Sequence, residues 1–462
     1  MSLNDTPSGE RTTIAFFGVR NAGKSSVVNA VCGQDLAVVS DVLGTTTDPV
    51  RKAMELLPLG PVVVVDTPGI DDAGELGELR VEKTRRVLRG CDVAVLVVDG
   101  TRGLTAADEQ LLGEFAAREV PYLVAWNKVD AVGAAGAAGA AGVARVPAAG
   151  AAGAAGAAGA AGVPAAGAAG AAGAAGVARV PAAGAAAPTG ALCPVPETLA
   201  LHTVGVSAKT GEGIDALKER LASLAPAEQG EARVLAADLV PPGGVAVLVC
   251  PIDESAPKGR LILPQQQVIR DLLDHGRIPV VCRETELAAT LAALREAPSV
   301  VITDSQAFGP VSRIVPPEIP LTSFSILMVR YKGDLVEAVR GAAKLDSLRD
   351  GDRILVSEGC SHRRQCNDIG TVKLPRWLRE YTGANLEFEF TSGVEFPEDP
   401  SRYALCVHCG GCMLNAREMR ARQRAAVTSG VPVTNYGIAI AQVHGILRRS
   451  LTPFPEALAA LG

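Results

Sequence analysis

Aromatic residues make up only 3% of the 462-residue chain, so its cores must be built mostly from alanine and other aliphatic side chains, which the 48% apolar content can supply. Positive charge is not in excess either. A formal net charge of −6 argues against a broad nucleic-acid footprint. Residues 1–11 are polar and carry no apolar signal core, which argues against secretion. Long hydrophobic runs are missing too. The tract 133–184 is weakly apolar, but it holds no Leu, Ile or Phe, and Arg145 and Arg179 interrupt it. The expectation is a cytoplasmic protein with no membrane and no nucleic-acid partner. In that setting ten cysteines read as metal ligands or reduced core thiols, and a disulfide framework is excluded.

What is present falls into about two to four domains by length. Residues 12–17, 62–65, 93–98 and 122–126 are short apolar runs of strand type, and 76–88 and 106–117 have helical periodicity. Strand–helix alternation with continuously apolar strands predicts a largely parallel sheet covered on both faces. Residues 133–186 break the pattern with Ala-Ala-Gly triplets, a low-complexity insert read as a flexible surface loop. Interior glycines make a helix there unfavourable, at roughly 1 kcal/mol each relative to alanine. A strand over 199–206 and a helix over 214–224 restore order, and 225–233 reads as a linker. A second α/β unit follows over 234–345, with strands at 245–249, 279–281 and 300–303 and helices at 265–275 and 284–295. A third, over 346–462, has strands at 353–356 and 386–389 and a helix at 416–429.

Gly18-Val-Arg-Asn21-Ala22-Gly23-Lys24-Ser25, followed by Ser26, fits the phosphate-binding loop between a strand and a helix. Its glycines let backbone N–H groups wrap phosphates, and the helix N-terminus adds favourable partial charge. Lys24 would neutralise the β- and γ-phosphates and the Ser25 hydroxyl would ligate Mg²⁺. Asp66-Thr-Pro-Gly69 closes the next apolar strand, which puts Asp66 behind the Mg²⁺ and the Gly69 N–H at the γ-phosphate. Thr45, Thr46 and Thr47 lie between the two motifs as candidates for a Mg²⁺-binding switch threonine, with Thr46 the working assignment. Asn127-Lys128-Val-Asp130 and Ser207-Ala208-Lys209 end later strands. A carboxylate such as Asp130 can accept from guanine N1–H and N2–H₂, which adenine does not offer, and the later loop would give an N–H to guanine O6. Five elements in order at strand ends define a GTP-hydrolysing domain over 1–228. Ile70 stands where many such enzymes have a water-orienting glutamine. Asn21 resembles the asparagine of potassium-activated GTPases, which makes K⁺ an expected activator and intrinsic turnover slow.

The C-terminal region holds Cys360-Ser-His362 and His408-Cys409-Gly-Gly-Cys412. Two thiolates on one tight turn and a third from a distant segment suit either zinc or an iron–sulfur cluster, with His362 or His408 as a further donor. Cys366 and Cys406 read as core or supporting thiols, and Cys32, Cys91, Cys193, Cys250 and Cys282 need no function.

Together, the GTPase motifs, the segment 256–264 and the Cys-x-His … His-Cys-x-x-Cys pattern resemble the HydF family of FeFe-hydrogenase H-cluster maturation GTPases along nearly the whole chain. The resemblance implies a G domain, a dimerisation α/β domain and a C-terminal iron–sulfur cluster-binding α/β domain in a homodimer. It further implies a scaffold that holds a 4Fe–4S cluster on Cys360, Cys409 and Cys412, with His362 or His408 as labile fourth ligand. The implied cargo is a diiron precursor made with two radical-SAM maturases and delivered to apo FeFe-hydrogenase. The Ala/Gly insert departs from the family pattern and falls between the two guanine-reading motifs. The alternative is a tRNA-modification or ribosome-assembly type GTPase with a structural zinc domain, but 234–462 shows neither a basic stripe nor an RNA-binding module.

Overall fold

A computed structural model describes residues 6–33, 49–69, 75–131, 192–225, 234–252, 261–359 and 368–462. Outside them lie the switch threonines Thr45, Thr46 and Thr47, Ile70, the insert 133–186, most of the linker 225–233 and of the segment 256–264, and Cys360, His362 and Cys366.

The first unit is a six-stranded sheet of β1 (Thr12–Phe17), β2 (Val50–Leu56), β3 (Gly60–Asp66), β4 (Val93–Asp99), β5 (Tyr122–Asn127) and β6 (Thr203–Gly205), in the order β2-β3-β1-β4-β5-β6. All neighbours run parallel except β2 on β3. Strand period two explains the apolar runs. Ile14, Phe16, Val62, Val64, Val95 and Leu123 face one layer, and Ala15, Phe17, Val63, Val65, Leu96 and Val124 face the other. Helix α1 (Lys24–Cys32) joins the first layer through Val27, Val28 and Val31. Helices α2 (Glu75–Arg89) and α3 (Ala106–Ala117) cover the second through Val87, Leu88, Leu111 and Phe115. Each fully buried Leu or Phe of this kind stabilises by roughly 2 kcal/mol. Helix α3 begins where it does because Thr105 and Asp108 form a capping box. Helix α4 (Ile214–Leu224) returns to the first layer with Ile214, Leu217 and Leu221.

One strand reading needs correction. Residues 199–206 are strand only over 203–205, because Pro196 and the acidic Glu197 start a 3-10 turn at Glu197–His202 that leaves Leu201 82% exposed. Strand β2 is an addition: it is an exposed antiparallel edge, so its Val-Arg-Lys-Ala-Met-Glu-Leu carries no apolar run.

The remaining chain builds two four-stranded parallel sheets. β7 (Val245–Val249), β8 (Ile278–Cys282), β9 (Val300–Thr303) and β10 (Leu321–Ser323) run in the order β10-β9-β7-β8. β11 (Arg353–Glu358), β12 (Glu387–Ser392), β13 (Leu405–His408) and β14 (Val433–Asn435) run in the order β12-β11-β13-β14. Their helices are α5 (Leu263–Asp274), α6 (Leu287–Ala293), α7 (Phe308–Ile314), α8 (Phe324–Lys332), α9 (Leu335–Ala342), α10 (Leu374–Thr382), α11 (Ala416–Thr428) and α12 (Tyr436–Val443). Helix α6 is shorter than the expected 284–295, since 283–286 form a turn closed by Glu286 N to Arg283 O. The two sheets share one core: Val247, Ile302 and Phe308 belong to the same apolar cluster as Ile354, Val407 and Ile440. Among the described residues no helix is long and apolar enough to cross a membrane.

Candidate functional site

The phosphate-binding loop runs from the end of β1 into α1. Gly23 has φ +87°, and a Cβ there would stand 2.3 Å from Asn127 Nδ2, so both conformation and space demand glycine. Asn21 also takes a left-handed conformation, φ +64°, with its side chain exposed. At the loop's end Lys24 Nζ lies 2.9 Å from Asp66 Oδ1, and Ser25 Oγ donates to Asp66 Oδ2 at 2.7 Å. Asp66 is the last residue of β3, next to β1 in the sheet, which is why a residue 41 positions on meets the loop. Thr67 donates through N and Oγ1 to Phe16 O, and Gly69 sits against Arg20.

The loops expected to read guanine converge at the ends of β5 and β6. Asn127 Nδ2 donates to Ala22 O at 2.9 Å while Asn127 Oδ1 accepts from Ala208 N at 3.2 Å, so one buried side chain ties the phosphate loop to the 207–209 loop. Lys128 Nζ donates to Asn21 O at 3.0 Å. Ser207 Oγ donates to Asp130 Oδ1 at 2.7 Å, although the insert separates them in sequence. Lys209 is exposed beside Ala208, and Gly18 and Ser26 bracket the loop.

Sequence reasoning missed Asp99. It ends β4, takes hydrogen bonds from Thr101 N and Oγ1, and holds Lys128 Nζ at 2.6 Å. Burial alone would raise its pKa, but the bonds from Lys128 and Thr101 outweigh it and hold the carboxyl below its ordinary value. The available signal was an aspartate closing the apolar run Val93–Asp99.

In the third unit Cys409 follows β13, and its N–H extends the ladder to Ser357 O. Its Sγ accepts from Gly359 N at 3.0 Å and Gly411 N at 3.3 Å. Gly359 immediately precedes Cys360 in the sequence; Cys360 and His362 themselves lie outside the described residues. Burial pushes the Cys409 thiol up to about 11. Burial also raises Cys412, against the opposing pull of Lys332. Cys32, Cys91, Cys250, Cys282 and Cys406 are buried thiols, and Cys193 is half-buried. Among the described residues no group of three His, Cys, Asp or Glu side chains comes together as a metal cage.

His408 is 3% exposed and both ring nitrogens are engaged. Nε2 lies 3.1 Å from Arg422 Nη1, and Nδ1 lies 2.8 Å from Cys409 O. A guanidinium only donates, so Nε2 accepts and the proton sits on Nδ1. Burial and the neighbouring Arg422 push its pKa down to about 3. Arg422 also binds Glu418 Oε1 at 2.8 Å and Gly393 O at 2.8 Å. Arg422's role is not visible in sequence, because it is one of four arginines on α11 and only its position on the inner face marks it.

Three family models match. One described as a 50S ribosome-binding GTPase covers residues 13–128. The hydrogen maturase F dimerization domain covers 235–333, and the hydrogen maturase F tetramerization domain covers 336–453. The tRNA modification GTPase MnmE of Herminiimonas arsenicoxydans is 40% identical over 124 residues, 26% of this chain and 26% of that protein. GTPase Der of Chloroflexus aurantiacus is 38% identical over 124 residues, 26% of this chain and 27% of that protein. The matched part thus spans about a quarter of these curated relatives. Among solved structures, Aquifex aeolicus Era aligns over 58% of this chain and 91% of its own at 18% identity, with a TM-score of 0.30. The G domain of the T. maritima FeoB iron transporter aligns over 47% and 100% at 18% identity, with a TM-score of 0.27. With a GTPase domain followed by both hydrogen maturase F oligomerization domains in chain order, the protein belongs to the hydrogen maturase F family.

Proposed function

We propose that the chain is a GTP-hydrolysing scaffold that carries a 4Fe–4S cluster and delivers the diiron precursor of the H-cluster to apo FeFe-hydrogenase. The family assignment carries this reading, and the Cys409 environment supports it. The two backbone N–H groups that donate to Cys409 Sγ partly oppose the burial that raises the metal-free thiol, and they would stabilise the thiolate form a cluster requires. Cys360, Cys409 and Cys412 would hold the cluster, leaving one iron open to exchange. With both nitrogens of His408 engaged, His362 becomes the better candidate for the labile fourth position. When bound, the cluster would supply an anchoring and redox-active iron. The protein's own part is to bury it, donate to its sulfurs and present it to partners. Those partners are the hydrogenase and two radical-SAM maturases, in the cytoplasm, with the domains 1–228, 234–345 and 346–462 dividing the work.

At the nucleotide site, Lys24 and the N–H groups of Gly18, Asn21, Ala22, Gly23 and Ser26 would hold the phosphates. Ser25, Thr46 and Asp66 would hold Mg²⁺, Asn21 would hold an activating K⁺, and Gly69 would contact the γ-phosphate. Asp130, Asn127, Lys128, Ser207, Ala208 and Lys209 would select guanine. Hydrolysis switches partner contacts and performs no cluster chemistry.

Anaerobic reconstitution followed by iron and sulfide analysis and spin-resonance spectra tests the proposal. The expected result is about four irons per chain in a reducible paramagnetic cluster. Cys409→Ser should lose the cluster and keep GTP turnover, and Lys24→Ala should do the reverse. One tightly bound zinc without an iron chromophore sinks the cluster reading and leaves a GTPase with a structural metal domain.

A further inference from the structure

Lys332 ends α8, within the residues matched as the dimerization domain, and is 1% exposed. Its Nζ donates to Leu414 O at 2.8 Å, Cys412 O at 2.9 Å and Gly411 O at 3.4 Å, all in the turn that carries the second thiol. Three acceptors match the three hydrogens of an ammonium, whereas a neutral amine would have two to give. A Cβ on Gly9 would fall 2.7 Å from the same Nζ and 2.7 Å from Cys412 O, so the segment leading into β1 closes the remaining side. Among the described residues no carboxylate is in ion-pair contact with Lys332; the Glu10 carboxylate, which accepts from Gln267 Nε2, acts on it only through space. A cation this buried, touching only carbonyls and opposed only by the more distant Glu10, is costly unless further negative charge compensates it.

We propose that Lys332 is a positioning residue whose buried ammonium shapes the Cys409–Cys412 turn and serves as the counter-charge for the thiolate-bound cluster. The inference rests on the cluster reading above. It explains why a cation from one domain is spent on the backbone of another domain's cysteine turn. Charge is the property that matters here, since reduction adds an electron to an already anionic centre and a nearby cation favours the reduced form.

The test uses the full chain, reconstituted anaerobically, as wild type, Lys332→Met and Lys332→Gln. The expected result is a cluster midpoint potential that is more negative in both variants. The rise in melting temperature on cluster loading should also be smaller than in the wild type. Glutamine keeps donors without charge, so a shift in the methionine variant alone would overturn the counter-charge role. Unshifted potentials in both, with melting temperatures lowered equally in metal-free and loaded forms, would show a structural clip and overturn the inference. A wild type that takes up no iron or sulfide overturns the cluster reading itself, and this inference with it. A loaded wild type with unshifted variants overturns this inference alone.

Discussion

Side chains that organise the nucleotide site do so by joining loops that the chain keeps far apart. Asn127 spans Ala22 and Ala208, and Asp99 fixes Lys128, whose ammonium then reaches Asn21 O. Asp99→Ala should therefore weaken GTP binding without touching any atom of the proposed nucleotide contacts. A hydrogen bond to a charged group is worth about 1.5–3 kcal/mol, which corresponds to a loss of roughly tenfold or more in affinity. Fluorescent-nucleotide titration measures it, and an unchanged affinity would show that Lys128 needs no anchor. The folded-state pKa of Asp99 lies below its unfolded value, so its contribution is present above the unfolded pKa. It is lost as pH falls through the folded one. The motif residues themselves were legible because each sits where an apolar run stops. Lys332 and Arg422 were not, since burial of a charged side chain depends on what the rest of the chain wraps around it, and Asp99, though it also closes an apolar run, belongs to none of the five motifs.

Strands buried on both faces were legible element by element, because Val93–Asp99 or Val300–Thr303 has no reason to alternate. β2 and β13 were not: one is a charged edge, and the other is four residues leading into a cysteine motif that drew a chemical reading instead. Short helices such as α7 and α9 carry too few turns for a periodicity to stand out. The Ala/Gly insert raised a question about guanine selection, and the 2.7 Å bond between Ser207 and Asp130 bears on it: the two loops proposed to read guanine meet across the insertion. Deleting 133–186 should leave GTP affinity within about twofold (~0.4 kcal/mol) of the full chain. A tenfold loss in isothermal titration would mean the insert takes part. At the edge of the β10-β9-β7-β8 sheet, β8 pairs among the described residues only with β7, and it leaves Ile278 50% and Val281 44% exposed. An open edge with apolar side chains is suited to pair with a second copy. A change of both Ile278 and Val281 to lysine should convert the sedimenting species to one of lower order. A species that sediments unchanged would move the contact elsewhere.

At the scale of the molecule, the GTPase unit is docked onto the cysteine-bearing unit by polar contacts. Asn415 Nδ2, three residues past Cys412, donates to Gly90 O at 2.8 Å and Asp92 Oδ2 at 3.1 Å, and Arg89 reaches Phe396 O at 3.1 Å. The middle and last units are joined differently, through one apolar core. Polar docking can open and close at modest cost, whereas a shared core cannot be parted without exposing it to water. Calorimetry of the metal-free chain should accordingly resolve residues 235–462 as a single transition. Separate transitions for 235–333 and 336–453 would contradict that view. The continuous core leaves no seam at which a recombination event could detach the cysteine unit and graft it elsewhere. Parting the two units would expose that core to water, so they are expected to be expressed and degraded as one piece.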